Sequence, residues 1–322
     1  MKKITRIIGL MCMAAVVAFS ASSCKKTEEN ASFTMRLTQV QGFNDDRAYI
    51  DVYDNCLLKW NEDDALKVYN LAEDYTESVV EEFVADPGAG GQTTTTFSGN
   101  PVGASKGVGF FFFYPSYMAS GVLEEGNRET FTVEDEQIYD EEFLFDPNSL
   151  VMARKVQNDF AEDGVMEHIF GFLHLKVTKG TAARIKSIVV TDLHHHLTGS
   201  MSLLIPAVNS ETFETLYQEC VAQDPSYASD LYDYLHNQLH YEANGEGYTI
   251  TLNCEDADNG EGVLVNADTQ HFVISLRPGA LWDGFTITVN YMDEQLPATV
   301  LNYDAHSYCI RPAWFTNLTV GI

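Results

Sequence analysis

Apolar and polar residues alternate with a period of two along much of the chain. Phe33, Met35 and Leu37 alternate with Thr34, Arg36 and Thr38, and Tyr248, Ile250 and Leu252 alternate with Thr249, Thr251 and Asn253. Successive side chains of a strand point to opposite faces, so this pattern predicts strands with one face on a core. Further strand-like runs are Ile185 to Val190, Phe272 to Leu276, Phe285 to Tyr291 and Tyr308 to Ile310, separated by Gly, Asn, Asp and Pro. Short alternating strands between such turn residues predict an all-β, antiparallel sandwich architecture. The run Phe110-Phe111-Phe112-Phe113-Tyr114 does not alternate and stops at Pro115, which suits a strand buried on both faces. Its aromatics are expected in a core and not as a ligand platform.

One stretch carries helical spacing. After Pro206, the residues Phe213, Leu216, Tyr217 and Cys220, then Asp224-Pro225 as a helix start, then Leu231, Leu235 and Leu239, predict two short helices within 211–241. The segment Asp86 to Gly107, rich in Gly and Thr, is expected as an exposed loop or hairpin tip. A polar stretch, Gln157 to Met166, divides two strand-rich halves, so one domain is expected over 24–160 and a second, carrying the helical insert, over 161–322.

The first residues read differently from the rest. Lys2, Lys3 and Arg6 precede an apolar run from Ile7 to Phe19, too short to span a membrane and shaped as an export signal over 1–23. Small residues before Cys24 and the polar run after it resemble a bacterial lipobox, with Ala21 where Leu is usual, which makes Cys24 the expected site of lipid attachment. The 322 residues hold 47 Asp+Glu against 19 Lys+Arg, a formal charge of −28 that becomes −31 once the signal is removed. Such a chain repels phosphate backbones and anionic lipid heads, so nucleic-acid partners are set aside and membrane attachment falls to acyl chains. Of six cysteines, Cys12 leaves with the signal; Cys56, Cys220, Cys254 and Cys309 lie in apolar settings without a CxxC pair. Buried free thiols are expected, with Cys254 and Cys309 the pair to test for a disulfide.

Chemistry is sparse. His194-His195-His196 beside Asp192 has the residue types of a metal site but no marked further ligands, so a solvated turn is expected. Asp256 to Gly262 has alternating acids but lacks the EF-hand register, which leaves a polar hairpin tip. No nucleophile–base pair, Walker A loop or dinucleotide fingerprint is present, so no catalytic, metal or cofactor residue is nominated and a non-enzymatic chain is expected.

Ordered landmarks then stand out: Arg47-Ala48, Leu58 to Tyr69 around Trp60, Phe97-Ser98-Gly99, Tyr114-Pro115, Ser149 to Ala153, and Phe172 to Val177. In this order, behind a lipoprotein start, they resemble Bacteroidales fimbrillins. The resemblance implies two tandem transthyretin-like β-sandwich domains, lipid-anchored and exposed at the cell outer membrane. It implies a structural subunit or accessory anchor or tip protein of fimbriae that mediates adhesion, with other fimbrial subunits, and host proteins or glycans, as partners. It also implies proteolytic processing between Arg47 and Ala48, removal of the first strand, and its replacement by a donor strand. Trp314, Phe315, Leu318, Val320 and Ile322 are apolar enough for a donor, and equally for a last strand packed in its own domain. The alternative function is a surface glycan-binding lipoprotein, for which Trp282 and Tyr291 are the candidate platform.

Overall fold

The computed structural model describes residues 31–37, 60–71, 79–100, 109–124, 128–141, 144–156, 164–204, 239–242, 247–255, 259–311 and 314–322. Cys24, Arg47, Ala48, Cys56, Cys220 and the expected helices as far as residue 238 lie outside the described residues.

The first strands are β1 (Ala31–Leu37), β2 (Ala65–Leu71), β3 (Val79–Ala85), β4 (Thr94–Gly99), β5 (Gly109–Tyr114), β6 (Ala119–Glu124) and β7 (Arg128–Val133). Next come β8 (Glu136–Ile138), β9 (Met152–Val156), β10 (Gly164–His168), β11 (Gly171–Thr178), β12 (Ala183–Asp192), β13 (Gly199–Leu204) and β14 (Leu239–Glu242). The last are β15 (Thr249–Asn253), β16 (Val263–Val265), β17 (Gln270–Leu276), β18 (Phe285–Tyr291), β19 (Thr299–Tyr303) and β20 (Phe315–Gly321). The all-β expectation is met: the described helical pieces are two 3-10 turns, Ser116–Met118 and Pro147–Ser149.

Seven strands close on themselves in the order β1-β10-β9-β5-β2-β3-β4, with β4 pairing back to β1. Inside this barrel lie Phe33, Phe83, Phe97, Phe110 and Phe112, together with Trp60 and Met166. A second sheet, β14-β13-β7-β6, covers part of the outside, where Tyr69, Leu71, Phe111 and Phe113 meet Phe131, Met201 and Leu203. The unbroken aromatic run of β5 follows from this: its odd and even side chains serve two cores, and all six residues are buried.

A β-sandwich forms from the sheet β19-β18-β12-β15-β8, with β16 also on β12, and the sheet β17-β11-β20. Its core is aliphatic, built on Leu173, Leu175, Ile185, Ile188, Val190, Leu252 and Ile287. The other face of the β17-β11-β20 sheet sends Phe172, Val273 and Phe315 into the aromatic cluster of the barrel. Two pairings join a strand before residue 160 to a strand after it in the outer sheet and the sandwich, β13 on β7 and β8 on β15. Beyond residue 160, β10 pairs with β1 and β9 of the barrel.

Three differences from the sequence reading have local causes. Thr94–Gly99, expected in a loop, is β4, because β-branched threonines suit a pleated strand and Phe97 supplies the inward residue. Leu239, expected on a helix, belongs to β14, where Leu239-His240-Tyr241-Glu242 also reads with period two. Tyr308 to Ile310 forms no strand, but Ile310 is buried and its N–H donates to Ala280 O at 3.1 Å.

Candidate interaction edges

β1 lies between β4, antiparallel, and β10, parallel, with Phe33 opposite Phe97 and Met35 opposite Gly164. Phe33 packs edge-on against Phe112 at 4.9 Å and tilted against Phe83 and Phe110 at 5.2 and 5.5 Å. A Cβ at position 164 would stand 2.3 Å from Met35 Sδ, so the glycine makes the space that Met35 fills. Trp60 Nε1 donates to Met35 O at 3.3 Å, and the turn after Trp60 is fixed by Asp64, whose Oδ2 accepts from Asn61 N (2.7 Å) and Oδ1 from Tyr114 Oη (2.8 Å).

The candidate donor residues Phe315, Leu318 and Val320 are buried in β20, which pairs in parallel with β11 of its own chain; Trp314 and Ile322 flank it, half-buried. Arg311 stacks on Trp314, its guanidinium carbon 3.9 Å from the ring centre. On β11, the fully buried His174 binds across the sheet, Nδ1 to Asn317 Oδ1 at 2.7 Å and Nε2 to His271 Nδ1 at 2.9 Å. One proton arrangement serves both bonds: His174 Nδ1–H donates to Asn317, and His271 Nδ1–H donates to His174.

His194 to His196 form a turn after β12. Asp192 Oδ1 accepts from His194 N (2.9 Å) and His195 N (2.8 Å), and Oδ2 from Leu281 N (2.7 Å), holding Leu281 at φ 71°. The buried His195 ring lies between carboxylates, Nδ1 3.2 Å from Asp192 Oδ1 and Nε2 3.2 Å from Asp283 Oδ2. Burial works to raise the Asp192 carboxyl, but donors from His195, His194 and Leu281 outweigh it and hold the group below its usual range. The buried Arg277 donates through Nε to His196 O. Backbone atoms of His194 to His196 and the His195 ring therefore fasten a turn that is buried at Asp192 and His195 where a solvated one was expected, and no cluster of three metal-ligating residues occurs among the described residues. At Asn259–Gly262, the described part of the acidic hairpin tip, Glu261 Oε2 pairs with Arg184 Nη2 at 2.7 Å.

A second buried carboxylate joins the outer sheet to the barrel. Tyr69 Oη on β2 donates to Glu129 Oε2 on β7 at 2.5 Å, while Ser120 N, Ser120 Oγ and Gly121 N donate to Oε1. Burial raises the Glu129 carboxyl above its usual range against these donors. No sequence motif marked Glu129; its one signal was a charge at an inward position of an alternating strand, between Phe131 and the strand start.

The glycan-platform candidates sit at opposite ends of β18. Tyr291 is buried beneath Lys179, whose Nζ is 4.5 Å from the ring centre, and Trp282 is half-buried against His306. They share no exposed face. Cys254 and Cys309 are both free, and burial pushes the Cys254 thiol well up. No described helix is long and apolar enough to cross a membrane.

These features define a layered all-β protein whose conspicuous groups build strands, turns and edges. No family model and no curated protein matches the chain. Among solved structures it is similar to a candidate cell adhesion protein of Bacteroides ovatus, with 12% identity, coverage of 91% of this chain and 93% of that one, and a TM-score of 0.49. A candidate cell adhesion protein of Bacteroides uniformis gives 12% identity, 92% and 94% coverage, and a TM-score of 0.49. The tip fimbrial protein Mfa3 of Porphyromonas gingivalis, with a C-terminal truncation, gives 9% identity, 86% and 83% coverage, and a TM-score of 0.36. These neighbours are candidate cell adhesion proteins and a tip fimbrial protein.

Proposed function

We propose that this chain is a structural or accessory subunit of cell-surface fimbriae, brought to the outer membrane by acyl chains on Cys24, freed from them when it is cut before Ala48, and then joined to other subunits by strand exchange in support of adhesion. The observation that carries this reading is the place of β1. It is the first described strand, it closes the barrel, and the other six barrel strands remain paired in series without it. Arg47 follows the end of β1 by ten residues, so a cut before Ala48 severs β1 from the rest of the chain and leaves it held by non-covalent contacts, among them those of Phe33 and Met35. Its departure uncovers a slot between β4 and β10, floored by Phe83, Phe97, Phe110 and Phe112, that an incoming alternating strand fills by the same bonds. Such a protein acts through its edges and is not an enzyme.

Outer-membrane fractions run in SDS with and without boiling, with N-terminal sequencing of each band, test this. A ladder that collapses on boiling to a monomer beginning at Ala48 supports exchange at β1. A single band beginning at Cys24 in both lanes rules out processing and polymerisation through that slot.

A further inference from the structure

A second edge, remote in sequence from β1, is unpaired among the described residues. β19 ends the sheet β19-β18-β12-β15-β8, and its pairing with β18 runs without a register break from Phe285↔Tyr303 to Val289↔Thr299. Among the described residues, Thr299 to Tyr303 make no backbone hydrogen bond on the side away from β18. Several other edges are closed or irregular, although β20 and β14 also end their sheets. The edge of β17 is occupied by Leu144 O, which accepts from Val273 N, and by the Gln137 side chain, which exchanges bonds of 2.8 and 3.0 Å with the Ser275 backbone. β6 is broken by a register shift, and β8 has three residues.

The composition of β19 is unusual for an edge. Exposed edges are ordinarily guarded by charges, proline or a bulge, because unpaired backbone groups recruit other strands. Thr299-Val300-Leu301-Asn302-Tyr303 has none of these, in a chain where 20% of residues are charged. Val300 is 54% exposed, while Leu301 and Tyr303 lean on the sandwich core.

The charges are placed at the ends instead. Asp293 and Glu294 stand exposed before β19, and Asp304 stands exposed directly after it, beside the Gly284 turn. Of the cations nearby, Lys179 is engaged by the ring and hydroxyl of Tyr291, and Arg184, whose O accepts from Met292 N, pairs with Glu261. Two copies paired antiparallel about Leu301 would bring these acids together at both ends, which opposes self-association. An incoming strand with Lys or Arg at its ends meets the acids favourably and leaves its uncharged middle to pair with the backbone.

We propose that β19 is a docking edge for a partner protein that adds an extended strand, β-branched and uncharged in its middle and basic at its ends. The edge lies on the sandwich and is independent of any exchange at β1.

Fluorescence anisotropy with the purified full chain and two labelled peptides, KKTVTVTVKK and EETVTVTVEE, tests it. The basic-ended peptide binds saturably, and the acidic-ended one binds at least about tenfold more weakly. Val300→Lys, at an exposed position, leaves the melting temperature unchanged and weakens the basic-ended peptide by about tenfold or more. Asp304→Asn weakens only the basic-ended peptide. The proposal is overturned if neither peptide binds at millimolar concentration, if Val300→Lys leaves binding intact, or if sedimentation shows a dimer that Val300→Lys dissociates, since the occupant is then a second copy.

Discussion

The barrel and the C-terminal sandwich bury comparable layers of strands by different means. The barrel closes its sheet and fills the inside with rings: Phe33, Phe83, Phe97, Phe110, Phe112, Trp60 and Tyr114 touch one another in tilted and edge-on pairs. The sandwich fills its core mostly with Leu, Ile and Val, with Phe272 and Phe285 among them, and its two sheets end at β19, β8, β17 and β20. Large rings at shared contacts make each barrel position expensive to change. Branched aliphatics spread the same burial over more, smaller contributions. Closure also removes edges, so the barrel admits a partner strand only if one of its own leaves, whereas the sandwich offers β19 as it stands.

The sharpest way to break this comparison is at the aromatic centre. Phe112→Ala, at a fully buried position facing Phe33, lowers stability by about 3–5 kcal/mol in urea unfolding monitored by circular dichroism. A loss under about 1 kcal/mol would show that the barrel interior collapses around the missing ring. In the sandwich, Ile188→Val costs about 0.5–1.5 kcal/mol in the same assay. Equal losses at the two positions would erase the distinction between the cores.

The two regions also differ in the sign of their pH response. Asp192 sits below its usual range, so its stabilising contribution is present above 3.8 and lost as pH falls through the depressed folded value; Asp192→Asn flattens that acid limb. Glu129 sits above its usual range. Its folded state holds the proton more tightly than the unfolded state, so stability declines as pH rises from 4.5 through the raised value, and Glu129→Gln removes this decline. Urea midpoints across an acidic pH series check both signs, and a shared sign would contradict the contrast. The smallest effect is at the sandwich surface: Thr191→Ala removes the 3.2 Å contact to Thr249 Oγ1 on neighbouring β15 and changes stability by less than about 0.5 kcal/mol.

Much of the strand content was legible because period two is a local property. Phe33 to Leu37, Ile185 to Val190, Phe272 to Leu276 and Phe285 to Tyr291 fall in β1, β12, β17 and β18. Trp60 and Val68, in one landmark segment, are buried, and His174, in another, is a packed strand residue. Thr94 to Gly99 was obscured by the glycine-rich stretch before it, and Leu239 by a helical spacing that its own four residues also satisfy as a strand. The edges could not be read, since nothing within Thr299 to Tyr303 states that β18 is its single neighbour.

By itself the sequence determined which residues face inward, since alternation follows from strand geometry and the aromatic run of β5 requires two cores. It also determined the acidic charge and the absence of a familiar catalytic motif. The tertiary structure decided which strands are neighbours: β1 between β4 and β10, β13 on β7, β8 on β15, and β19 at an end. Pairing between distant segments depends on loop closure and on the packing of whole sheets, and neither is encoded in the alternation of a single strand.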